Sequence, residues 1–163
     1  MSWMNNDGLY VKYGTELATP TTGGDYCIYG ELREQEVTID LTTMTTSAAI
    51  VADTTFFPAN MLIEQVDVVA DTAATGGTSV SVGLVQLDRS TAISTVAFVS
   101  ALPIANINVA GEKNILTAGV TSAGDKVGLS VTNPGYITCL VAGTFTAGKI
   151  KVRIRYRGTT ASQ

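Results

Sequence analysis

From Asp25 onward, apolar and polar residues alternate in short runs, and a break falls about every 8 to 12 residues. The clearest case is Val37, Ile39 and Leu41 facing one way with Glu36, Thr38 and Asp40 opposite. Val127, Leu129 and Val131 show the same two-residue period. Side chains on a strand point to opposite faces in turn, so this pattern predicts half-buried strands. The predicted strands are Tyr26–Leu32, Glu36–Thr42, Ala48–Ala52, Leu62–Ala70, Ser79–Leu87, Thr95–Ser100, Asn114–Ala118, Lys126–Thr132, Tyr136–Ala142 and Thr144–Tyr156. Many short strands at this spacing predict an all-β sandwich or barrel, here read as an antiparallel β-sandwich.

The breaks have turn chemistry. Thr75-Gly76-Gly77-Thr78 supplies two residues that tolerate positive φ, as a hairpin needs. Asn133-Pro134-Gly135 reads as a type II turn with glycine at the positive-φ position. Ser122–Asp125 and Ala147-Gly148 are weaker turn signals. Asp53–Asn60 is a longer corner whose Phe56 and Phe57 are expected to plug the core. Ser90–Gly111, irregular and containing Pro103, is expected to cross from one sheet to the other.

Residues 1–24 follow neither period. Trp3, Leu9, Tyr10 and Tyr13 stand among Asn, Asp, Gly and Thr, and Thr19–Gly24 breaks any pattern. This is read as an extended N-terminal arm with one short strand at Leu9–Tyr13. The expected division is an arm at 1–24, a sandwich at 25–158 and a tail at 159–163. The arm has too few apolar neighbours for a core of its own, so its aromatics are candidate contacts to its own body or to a partner chain.

Composition narrows the chemistry. The chain of 163 residues contains no His, which removes His-based triads, metal sites and acid–base catalysis. Cys27 and Cys139 lie in apolar runs and are read as buried thiols. Neither a signal peptide nor a membrane-spanning apolar run is visible, so synthesis in a cytoplasm and no membrane partner are expected. Gly143–Lys149 fits G-x-x-x-x-G-K, but Ile150 follows and the next residues alternate as a strand, so no phosphate-cradling helix is expected. The acid pairs Glu34/Glu36 and Asp67/Asp71 lack the aromatic surroundings of a glycosidase site. The expectation is therefore no enzyme, no cofactor and no metal.

Charge distribution carries the sharpest signal. Lys149, Lys151, Arg153, Arg155 and Arg157 alternate with Ile150, Val152, Ile154 and Tyr156, which lines five cations along one face of the last strand. Residues 1–148 hold all 14 acids and only five of the ten bases, so an acidic body of −9 is closed by a strand of +5, for a net charge of −4. Like charges two residues apart repel one another. The row is tolerable but better placed opposite acids. They can come from Glu34–Asp40 or Glu64–Asp67 across the sheet, or from a second protein. The acidic net charge and the lack of stacking aromatics on that face argue against nucleic acid.

Three stretches and the last strand resemble small virion proteins of tailed bacteriophages with a jelly-roll-like fold. They are Asn5–Glu16 (NNDGLYVKYGTE), Phe57–Ala70 (FPANMLIEQVDVVA), Thr75–Leu84 (TGGTSVSVGL) and Ala147–Tyr156 (AGKIKVRIRY). The resemblance implies a capsid decoration, or cement, protein on the outside of the head, where it stabilises the shell. It implies the major capsid protein as partner and a homotrimer as the assembly. Trp3, Leu9, Tyr10 and Tyr13 of the arm and Lys149, Lys151, Arg153, Arg155 and Arg157 of the last strand are the candidate contact residues. The competing reading is a carbohydrate- or receptor-binding sandwich module of a phage fibre or tail.

Overall fold

The structure, a computed structural model, describes residues 2–4, 10–12, 32–53 and 56–158. The described chain is all β, with two antiparallel sheets packed face to face. Its strands in chain order are β1 (Ser2–Met4), β2 (Tyr10–Lys12), β3 (Arg33–Asp40), β4 (Ala49–Ile50), β5 (Phe56–Phe57) and β6 (Met61–Gly76). They continue as β7 (Ser79–Gln86), β8 (Ala92–Pro103), β9 (Lys113–Leu116), β10 (Ser130–Val131), β11 (Gly135–Ala142) and β12 (Phe145–Gly158). One sheet runs β10-β6-β12-β3, with β9 also on β6; the other runs β4-β11-β7-β8, with β5 also on β11. β1 and β2 pair with each other in a separate two-stranded sheet.

The inner faces are the predicted apolar rows. Ile150, Val152 and Ile154 of β12 are fully buried, beside Ile39 of β3 and Val66 and Val68 of β6. Val80, Val82 and Leu84 of β7 and Ile137, Cys139 and Val141 of β11 supply the opposing layer. Each such Val, Ile or Leu contributes about 1.5–3 kcal/mol by leaving water. Phe57 ties the two layers together, with its ring edge-on to Tyr156 at 4.9 Å and to Phe98 at 5.3 Å.

The two sheets differ in charge. The five strands β4, β5, β7, β8 and β11 contain no Asp, Glu, Lys or Arg, whereas β3, β6, β9 and β12 carry them on every outer row. We refer to them as the uncharged and the charged sheet.

Several expectations need correction. Thr75–Thr78 does bend at glycines of positive φ, +73° at Gly76 and +58° at Gly77. It does not make a hairpin, because β6 and β7 belong to different sheets. Gly143 performs the same switch between β11 and β12, and the two corners interlock through Gly77 N–H to Thr144 O (2.8 Å) and Thr78 N–H to Ala142 O (2.6 Å). Gly135 does not take positive φ; it opens β11, where a Cβ would collide with the carbonyl oxygen of Val85. Gly148 is not a turn but lies within β12 beside register shifts, so the strand is bulged there. Lys126–Thr132 is mostly turn, with only β10 as strand, because Gly128 at φ +83° breaks the alternation. Val127 and Val131 are buried but Leu129 is 55% exposed.

Phe57 is the core plug and Phe56 is not, since it faces outward. Most of Ser90–Gly111 is strand β8, and the crossing between sheets follows it at 104–112. β3 stops at Asp40 because its carboxylate accepts from the Thr42 N–H (3.1 Å) and Oγ1 (2.7 Å), closing a 3-10 turn at Leu41–Thr43. Of the predicted strand at Tyr26–Leu32, only Leu32 lies within the described residues, and it is not in a strand. Cys27 also lies outside them.

Candidate interaction surface

β12 is central in the charged sheet, paired along its length with β3 on one side and β6 on the other. That position decides how its cations are neutralised. Lys149 reaches Asp40 (3.6 Å), Arg153 reaches Glu36 (2.5 Å) and Arg155 reaches Glu34 (3.2 Å), all on β3. On the β6 side, Lys151 reaches Asp71 (2.9 Å), Arg157 reaches Glu64 (2.6 Å) and Arg155 also reaches Asp67 (3.6 Å). Every cation of the row thus has an acid within the same molecule, drawn from both of the acidic stretches named from the sequence and, for Lys151, from Asp71 beyond them.

Local hydrogen bonds hold these groups in their charged forms. The Thr42 side chain and backbone, aided by Lys149, keep Asp40 below the usual carboxylate range. The hydrogen bond to Asp71 raises Lys151, and the one to Glu36 raises Arg153. Exposed pairs of this kind are individually weak and screened by salt. Their main effect is to leave a broad face with no net charge to offer.

Asp67 differs from the rest. It stands on the outer face of β6, yet its side chain is fully buried. Lys113 of β9 lies over it at 2.9 Å, Gln65 Nε2 donates to Oδ1 at 2.5 Å, and Arg155 approaches from β12. Burial pushes its pKa up, but the hydrogen bonds from Lys113 and Gln65 and the charges of Lys113 and Arg155 outweigh that and hold it low. From the sequence Asp67 reads as half of a solvated acid pair with Asp71. The signal that marks it is its position between Val66 and Val68 in an otherwise apolar run.

The other candidate residues are distributed differently. Trp3 and Tyr10 lie on β1 and β2, where Trp3 pairs with Val11 and Met4 with Tyr10. Leu9 and Tyr13 lie outside the described residues. The structure groups the five cations on one face. Gly143–Lys149 forms a sheet-switching turn and the start of β12, with no helix after it. Among the described residues, no three Asp, Glu or Cys side chains are placed to share a metal ion. Cys139 is a buried thiol whose pKa burial pushes up to about 12.

A second group of side chains was not foreseen. At the end of the sandwich where β7 finishes and β11 begins, Phe56 is paired with Tyr136 across the uncharged sheet. Arg89 lies over the Tyr136 ring, 5.2 Å from its centre, and pairs with Asp53 at 3.5 Å. Arg89 takes φ +64°, and its turn is held by Asp88, which accepts from Ser90 and Thr91 and is lowered to about 2 by those bonds.

The fold is shared with chains of three phage capsids. A chain of the cyanophage Pam1 capsid asymmetric unit matches with a TM-score of 0.54 at 17% identity, over 90% of this chain and 99% of that one. A chain of the capsid of Ralstonia phage GP4 matches at 0.54 and 15%, over 86% and 92%. A chain of the acidic stable capsid structure of Helicobacter pylori bacteriophage KHP30 matches at 0.52 and 15%, over 81% and 91%. No protein-family profile and no curated protein matches the sequence.

Proposed function

We propose that this chain is a structural protein of a tailed-phage capsid, bound to the outside of the shell as a decoration protein. The observation that carries the reading is the near end-to-end correspondence with chains found in phage capsids. It covers 81–90% of this chain and 91–99% of each of those chains. The lack of His and the pairing of every β12 cation with a structural acid fit a protein that holds other proteins.

In this reading the partner is the major capsid protein, the arm with Trp3, Leu9, Tyr10 and Tyr13 contributes contacts, and the copies associate as trimers. Repetition over a lattice turns weak contacts into firm attachment through effective concentration. The glycan-binding alternative has less to build on, because Arg89 already covers the ring face of Tyr136 that a sugar would stack on.

The test is co-sedimentation of the purified chain with empty shells assembled without it. Saturable binding at a fixed number of copies per shell supports the reading, and no binding refutes it. Solution mass at three times 17.0 kDa supports the trimer.

A further inference from the structure

We infer that the sandwich docks end-on, through the end where β3 begins and β12 finishes, onto an apolar, basic-rimmed surface of the capsid shell. The inference rests on the function proposed above and adds which part of this chain makes the contact.

The contact of Phe57 with Tyr156 brings the ends of the two sheets together at this point. Four exposed apolar side chains lie at this end of the two sheets. Leu32 precedes β3 and Leu129 precedes β10, at the two edges of the charged sheet; Phe56 lies in β5 and Leu87 follows β7 on the uncharged sheet. They are 57%, 55%, 50% and 46% exposed. Of the seven large apolar side chains exposed among the described residues, these four share one end. Val109, Ile115 and Val120 lie apart from them, beside β6, on β9 and in the loop after it.

Folding does not account for this placement. Phe57 fills the core while its neighbour Phe56 is turned out, and Leu87 and Leu129 occupy turn positions where polar residues cost nothing. An apolar centre beside a polar rim is the anatomy of a protein interface. The rim holds Arg33, next to Leu32, and the Asp53–Arg89 pair, in which Arg89 lies over Tyr136 on a backbone of positive φ.

Two further observations select the occupant. The broad charged face is a poor docking surface, because covering its six pairs would strip water from the eleven of their charges that still meet it, and their partners are already in place. The chain outside the sandwich also starts at this end. Residues 1–31 join at Leu32 and residues 159–163 follow Gly158. Residues 1–31 contain four acids (Asp7, Glu16, Asp25, Glu31) and one base, Lys12. A segment of that charge, attached to the body at this end, is complemented by a partner with basic residues around an apolar contact.

The experiment compares two double variants of the full chain in co-sedimentation with empty shells of the phage that encodes it. Phe56→Ser with Leu87→Ser removes apolar contacts at the proposed end; Val109→Ser with Ile115→Ser is the control elsewhere. The end variant is expected to bind roughly tenfold more weakly or worse, the loss of about one interface anchor, and the control to bind as wild type. Side-chain hydroxyl-radical footprinting of the wild type is expected to protect Phe56, Leu87 and Leu129 on shells and leave Val109 labelled; it holds even if the end variant folds poorly. Equal binding by both variants, or unchanged labelling of the end residues, overturns the inference while leaving the proposed function standing. Loss of self-association in the end variant with undiminished shell binding makes the occupant a second copy and also overturns it. Wild type that fails to sediment refutes the proposed function itself.

Discussion

At the residue scale, the most consequential side chain is Asp67, a carboxylate buried under Lys113, Gln65 and Arg155 on a face that otherwise meets water. Asp67→Asn is expected to destabilise the fold by about 1–3 kcal/mol at pH 7, the usual cost of weakening a buried, charge-assisted hydrogen-bond group. Its folded pKa lies below the ordinary carboxylate value. The carboxylate therefore contributes fully above the unfolded value of about 3.9, and the contribution is lost as pH falls through the folded pKa. Urea melts of wild type and variant are expected to differ most near neutrality and to converge as pH falls through the lowered pKa of Asp67. Asp40 and Asp88 have the same sign of shift, so wild-type stability itself falls over the same acid range, down to about 2 for Asp88. Cys139, with its thiol pushed up to about 12, is expected to resist alkylation at pH 8 in the native state and to react once unfolded. A Cys27→Ala background isolates that reading by mass spectrometry.

At the scale of elements, β12 and the two sheet-switching corners organise the sandwich. Arg153→Glu would place an acid among Glu34, Glu36 and Asp67 and is expected to lower the melting temperature. Adding Glu36→Arg restores the pair with reversed polarity and is expected to recover part of the loss, which a merely solvated arginine would not show. Gly77→Ala is expected to cost more than about 1 kcal/mol, because positive φ disfavours a Cβ and that Cβ would collide with the ring of Phe145. Strands with a strict two-residue period, β3, β7, β11 and β12, were legible within a few residues. The extension of β6 through Asp71–Gly76 was not, because Ala and Thr mark neither face. A Gly-Gly turn announces positive φ but not which sheet the next strand joins, so a corner reads as a hairpin. The cation row was legible as a row. Its neutralisation from both sides was not, because that depends on β12 lying between β3 and β6 rather than at an edge.

At the scale of the whole molecule, the division into an acidic body and a basic strand resolves differently once the fold is known. The six cations Lys113, Lys149, Lys151, Arg153, Arg155 and Arg157 meet six acids on one outer face. The excess acid lies elsewhere, and residues 1–31 alone carry −3 of the net −4. The molecule thus combines a self-neutralised face, a sheet without charge and one end where exposed apolar side chains gather. Raised salt is expected to weaken attachment by screening the acidic segment while leaving the apolar contact, so binding falls without vanishing. The most direct measurement is cryo-microscopy of shells saturated with the chain, compared with bare shells. The account predicts added sandwich-shaped density on the outer surface at regular lattice positions. Density inside the shell, at the tail alone, or nowhere on the lattice would contradict it.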